Sequence, residues 1–170
     1  VTPREAVELS IVKFEGGESN KPTDRGGLTR YGLTFKTYLE LVPKGTLDAF
    51  RALTRDEVID LITEHFALGP GYFRIRDQWV MWLVIDFAIN SGRGNATRAL
   101  QRAIGVQDDG LFGRHTDGAV NSVDPARTFR HLVGERIEFL GRLITRDVNQ
   151  GAPNAWGWMR RVSTILKAVP

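Results

Sequence analysis

Residues 15–34 read Glu15-Gly16-Gly17-Glu18-Ser19-Asn20-Lys21-Pro22-Thr23-Asp24-Arg25-Gly26-Gly27-Leu28-Thr29-Arg30-Tyr31-Gly32-Leu33-Thr34. The stretch is dense in glycine and turn formers, yet it lies directly between two well-signalled helices. It sets a carboxylate at the end of an amphipathic helix, a second carboxylate nine residues on, and a threonine five beyond that. Upstream, Thr2-Pro3-Arg4-Glu5 is a capping box with proline at the first helical position. Val7, Ile11, Val12 and Phe14 then recur at helical spacing. Glu15 follows Ile11 by four positions and Val12 by three, so its side chain leaves the helix beside the apolar face. Gly16 and Gly17 stand where a left-handed cap would end the helix. Partial desolvation and the negative end of the helix dipole both favour a protonated acid there. The bland alternative for Glu15 is a solvated last-turn glutamate.

Asp24-Arg25-Gly26-Gly27 is turn chemistry, and residues 28–33 alternate as one short strand would. The spacing predicts a small irregular hairpin that returns Asp24 and Thr29 towards Glu15. An idle surface loop is the alternative, although glycine-rich loops of this length in compact domains tend to be functional.

Working outward, Thr34 caps a helix through Phe35, Tyr38, Leu39 and Val42 that Pro43 stops. Thr54-Arg55-Asp56-Glu57 opens another through Val58, Leu61, Ile62 and Phe66. Gly69-Pro70-Gly71 breaks it, dividing a single domain (1–170) into an N-terminal lobe (1–70) and a helical lobe (71–170). From about Asp77 to Asn90 the chain is apolar nearly all round, the mark of a helix surrounded by others. Trp79 and Trp82 read as core rather than as sugar platforms. Asp86 is the anomaly, since a buried carboxylate needs a partner. One reading makes it a paired core acid. The other has Asp86 and Asn90, one turn apart, look into a cleft and hold substrate.

Asn95 is a cap candidate for a helix over 96–104 closed by Gly105. Asp108-Asp109-Gly110 is a turn, a helix follows from Gly113 to Val120, and Asp124-Pro125 starts a long one. In that long helix only Arg136 falls within the apolar arc, so an ion-pair partner is expected, an active-site acid being one candidate. Ala152-Pro153-Asn154 is expected to start the last helix.

At 170 residues the chain is long enough to bury roughly 70% of its unfolded surface. Net charge is +3 with a pI of about 9.5, which suits a polyanionic partner, nucleic acid and anionic cell wall alike. From Pro125 onward eight Lys and Arg face three Asp and Glu, 8 − 3 = +5, a solvated helix face by default. Without cysteine there is no thiol chemistry, and the longest apolar run, residues 79–85, is far short of the roughly 20 residues of a membrane span. His65, His115 and His131 lack ligand spacing, and neither a nucleophile elbow nor a phosphate loop occurs. Carboxylate chemistry remains. Glycoside hydrolysis needs an acid of raised pKa opposite an ionised carboxylate. Glu15 suits the first role, Asp24 the second, and Thr29 Oγ1 can hold the water.

Phe14-Glu15-Gly16-Gly17 followed by Asp24-x-Gly26-Gly27-x-Thr29-x-Tyr31-Gly32-Leu33-Thr34 resembles the signature of glycoside hydrolase family 108, the N-acetylmuramidases of the lysozyme-like superfamily, many of them phage endolysins. The second half resembles the predicted peptidoglycan-binding segment that accompanies it, through 86–92, Ala99-Leu100-Gln101, 106–113 and 157–161. Glu18 departs from the pattern, standing where an aromatic is expected, and is a second candidate carboxylate. The resemblance implies a mainly α (α+β), lysozyme-like fold: a helical lobe, a small N-terminal β-hairpin lobe and a substrate cleft between them. It implies Glu15 as catalytic acid, Asp24 and Thr29 on the water, and hydrolysis of the MurNAc-β-1,4-GlcNAc bond of peptidoglycan strands. Tyr31, Asp86 and Asn90 are the expected substrate contacts. No cofactor, metal, membrane span or specific nucleic acid is expected, and the protein is expected to be a monomer. An inverting course calls for carboxylates roughly 6.5–9.5 Å apart. An endolysin without a leader would wait in the host cytoplasm for a holin, then reach the periplasm and wall. A lytic transglycosylase using Glu15 alone, a non-catalytic wall-binding protein and a nucleic-acid-binding helical domain are the alternatives.

Overall fold

The computed structural model describes residues 1–11, 18–19 and 27–169. The capping box forms as read: Thr2 N donates to Glu5 Oε2 at 2.7 Å and Glu5 N to Thr2 Oγ1 at 3.2 Å. It opens α1 (Pro3–Ile11), whose Ala6, Val7, Ser10 and Ile11 are buried. Downstream lie three two-residue strands, β1 (Glu18–Ser19), β2 (Thr29–Arg30) and β3 (Leu33–Thr34), in one antiparallel sheet of order β1-β2-β3. The single strand expected over 28–33 is therefore two strands. Arg30 pairs with Leu33, leaving Tyr31 and Gly32 as the turn, with φ of +47° and +88°. Two consecutive positive φ values are what a two-residue type I′ connection requires, and period-2 alternation hid the reversal.

Thr34 caps α2 (Phe35–Leu41) by accepting from Thr37 N at 3.0 Å. A helix absent from the sequence reading follows, α3 (Leu47–Ala52), capped by Thr46. Its Phe50 ring lies 5.2 Å from those of both Phe35 and Tyr38, so the short helices share an aromatic cluster. α4 (Arg55–Thr63) starts at the Thr54 capping box and runs into a π-helical turn, Glu64–Leu68, before Gly71 reverses the chain at φ +91° into the 3-10 turn Tyr72–Arg74.

α5 (Gln78–Ser91) is capped by Asp77, and every residue from 80 to 88 is buried. It packs against α1, α6 (Arg93–Ile104) and α8 (Pro125–Arg146), while α9 (Val148–Ala168) lies along α8 and α7 (Arg114–Val120) against α6. One apolar cluster runs from Ala6 on α1 to Ile165 on α9 and spans both sides of the 69–71 break. At roughly 1.5–3 kcal/mol for each fully buried large aliphatic or aromatic side chain, this cluster is the main source of stability.

Two helix starts differ from expectation. α6 begins at Arg93, so Asn95 sits inside it and donates from Nδ2 to Ser91 O at 2.8 Å instead of capping. α9 begins at Val148 with Pro153 inside it. Proline at the sixth position of the helix lacks the N–H that would otherwise reach the carbonyl of Asn149, so one intrahelical hydrogen bond is given up in the second turn.

Candidate active site

Of the expected catalytic trio, Glu15 and Asp24 lie outside the described residues. Thr29 is half-buried on the middle strand β2, opposite Ser19 of β1 and Thr34 of β3. Tyr31 occupies the turn two residues on, its ring half-buried against the core and 5.0 Å from the Arg30 guanidinium. Arg30 Nε in turn donates to Leu53 O at 2.6 Å, fastening the hairpin to the segment after α3. The hairpin thus carries Thr29 and Tyr31 on one element.

Asp86 and Asn90 sit on α5, a different element, and they part company. Asn90 is exposed in the last turn, where its Nδ2 donates to Asp86 O at 2.6 Å. Asp86 is 1% exposed, and both of its carboxylate oxygens are taken. Arg161 Nε and Nη2 reach Oδ1 at 2.8 and 2.6 Å, and Arg136 Nη1 lies 2.6 Å from Oδ2. The expected substrate contact is corrected on this point: Asp86 is a paired core acid, buried out of a sugar's reach. Burial alone would raise its pKa, but the Arg136 and Arg161 guanidiniums outweigh burial and hold the carboxyl below its ordinary range. Arg136 has the partner its place in the apolar arc demanded, and that partner is Asp86. Its guanidinium also lies over the Phe87 ring at 5.3 Å, while its Nε and Nη1 make no aligned hydrogen bond among the described residues.

Sequence reasoning missed Arg161. It follows Arg160, and nothing in a helical wheel says which of two adjacent arginines turns inward. Besides holding Asp86, its Nη2 donates to the Ser10 carbonyl near the end of α1. Trp82 Nε1 on α5 donates to Ser10 Oγ at 3.3 Å. Ser10 precedes Glu15 by five residues, so three elements converge on the stretch that leads into the expected catalytic acid.

Among the cavities lined by described residues are three whose walls hold neither Thr29 nor Tyr31. One of about 420 Å³ lies between the start of α6 and 110–113, one of about 370 Å³ between α5, α8 and α9, and one of about 510 Å³ between α2 and α4. Above the first, the Tyr72 hydroxyl bonds Thr97 Oγ1 at 2.7 Å, and burial pushes its pKa up to about 12. His65, on the π-helical turn, is held below its ordinary pKa by burial and by Arg93, with Glu40 opposing. Among the described residues no group of His, Asp and Glu converges as a metal site, and no helix is long and apolar enough to cross a membrane.

Comparison with known families matches residues 9–92 to the glycosyl hydrolase 108 model and residues 95–163 to the predicted peptidoglycan domain. The boundary between them falls at the end of α5. Among solved structures, the chain is similar to SagA of Brucella abortus, at 28% identity and a TM-score of 0.81, over 96% of this chain and 90% of that one. The shared fold is lysozyme-like. No curated protein sequence matches.

Proposed function

Through residues 9–92 the chain belongs to the glycosyl hydrolase 108 family and acts as a glycoside hydrolase on peptidoglycan, and on that premise we propose that it hydrolyses the MurNAc-β-1,4-GlcNAc bond with Glu15 as general acid. Asp24 stays ionised and, with Thr29 Oγ1, orients the attacking water. Tyr31 and Asn90 contact the glycan. The observation that carries this reading is the unbroken Glu15–Asp24–Thr29 spacing inside the family segment, with Thr29 on the central strand of a three-stranded sheet.

Protonation of the leaving oxygen contributes roughly 10²–10⁴ in rate. Glu15→Gln keeps the shape of the acid and loses its proton, so turnover should fall by about that factor with the melting temperature unchanged. Wild-type lysis by Glu15→Gln overturns the assignment. Mass spectrometry of digested wall should find reducing MurNAc ends, whereas anhydromuramyl ends would mean that the sugar's own hydroxyl displaces the leaving group and that Asp24 is dispensable. Proton NMR of the first product should find the α anomer, since one displacement by water inverts a β linkage.

A further inference from the structure

We propose that Arg161 is a positioning residue for the catalytic acid, acting through the carbonyl of Ser10. The proposal rests on the assignment of Glu15 as the acid.

Asp86 is buried among apolar side chains on the central helix, and two guanidiniums from different helices meet it, Arg136 of α8 and Arg161 of α9. One carboxylate against two guanidiniums is more charge than a core needs. Such clusters are weak sources of stability, because desolvation offsets most of the Coulombic attraction and an apolar replacement is often as stable. Arg161 gives this one a second use. Its planar fork is divided between two acceptors: Nε and Nη2 hold Asp86, at 2.8 and 2.6 Å to Oδ1, while Nη2 also donates to Ser10 O. Arg136, over the Phe87 ring and beside Oδ2, fixes the far side of the carboxylate so that Arg161 has a rigid anchor.

Ser10 is also held from its side chain. Its Oγ donates to Ala6 O at 2.8 Å and accepts from Trp82 Nε1 at 3.3 Å. Backbone and side chain of one residue are therefore fixed from α9 and α5 within five residues of Glu15. Reaction geometry tolerates little error, and a misplacement of about 1 Å can cost roughly 10²-fold in rate. The fork between Asp86 and Ser10 ties the last turn of α1 to α5 and α9.

The test uses the full chain, a soluble glycan-strand substrate, and rates per folded molecule well below the melting temperature. Arg161→Met should lower kcat about tenfold or more while KM stays within about twofold, the signature of lost positioning rather than lost binding. Arg161→Lys, which keeps a cation and donors beside Asp86, should restore most of kcat. Leu132→Ala serves as the stability control, because it opens the α8 core without removing a charged partner of Asp86. If Arg161→Met melts lower yet keeps wild-type kcat, or if Leu132→Ala loses kcat equally, Arg161 is a structural residue and the proposal is overturned. Should Arg161→Met fail to fold, Arg161→Gln decides: a kcat loss at constant KM supports the proposal, and a full wild-type kcat overturns it. Glu15→Gln run alongside separates the two ideas, since activity retained there removes the assignment of the acid whatever Arg161 does.

Discussion

Tyr31 is the only described non-glycine residue with positive φ, and at +47° it stands where a bulky side chain is disfavoured. Such a residue costs on the order of 1–3 kcal/mol and persists only where its surroundings over-determine it. Here the surroundings are the Arg30 guanidinium at 5.0 Å and the core against which the ring is half-buried. Asparagine tolerates the left-handed region far better. Tyr31→Asn should therefore recover strain while losing ring burial, and the melting temperature should move by only a few degrees. If the ring also contacts the glycan, KM should rise severalfold with kcat nearly constant. An unchanged KM would remove Tyr31 from the binding surface and leave it as turn chemistry alone. The sequence made this residue visible as part of a motif but not its φ, because strict alternation through 28–33 reads the same for one strand or for a tight hairpin.

Elements announced by local chemistry were legible. The boxes at Thr2 and Thr54, the Asp124-Pro125 start and the Gly105 stop all form where they are written, since each depends on groups within four residues. α3 leaves no sequence signal because six residues hold too few turns for a periodicity, and α9 starts at Val148, ahead of the expected Ala152-Pro153-Asn154 start, because proline sits inside this helix rather than in its first turn. α9 also carries two glycines with opposite jobs. A Cβ at Gly151 would lie 2.4 Å from Ile144 Cα, a backbone atom that cannot step aside, so Gly151 sets how closely the α9 start approaches α8. At Gly157 a Cβ would meet nothing within 4 Å. Gly151→Ala should cost about 1–3 kcal/mol of overpacking, roughly 2–12 °C of melting temperature for a chain this size. Gly157→Ala should stabilise by up to about 1 kcal/mol through helix propensity. Thermal melts of the two variants with the same sign of change would refute this account of the α8–α9 approach.

At the scale of the molecule the site separates into a part that sequence can name and a part that only the tertiary structure supplies. The carboxylate and threonine spacing, and an arginine in an apolar arc, are local facts. That Arg136 of α8 and Arg161 of α9 meet on Asp86 of α5 is not, because separations of 50 and 75 residues leave no periodic trace. The meeting has a consequence for acid stability. Asp86 has its folded pKa lowered from the ordinary 3.8 by its two guanidiniums against the opposing effect of burial. A depressed carboxylate contributes stability that is complete above the unfolded value and is lost as pH falls through the folded one. Glu5, Glu57 and Asp109 are lowered too, through hydrogen bonds at exposed caps and a turn, and add to the same trend. Asp86→Asn removes the charge and leaves two buried guanidiniums facing a neutral amide, a loss typically of about 3–5 kcal/mol for a broken buried pair. Against wild type, that gap should be full at neutral pH, should narrow as pH drops below about 3.8, where the carboxyl of the unfolded chain takes up a proton, and should close as pH passes the lower folded pKa. Denaturant melts of both proteins between neutral and acid pH measure the gap directly. A difference that stays constant down to the acid end would mean that Asp86 draws its stabilising effect from shape and hydrogen bonds rather than from charge, and the electrostatic account of the four-helix junction would fall with it.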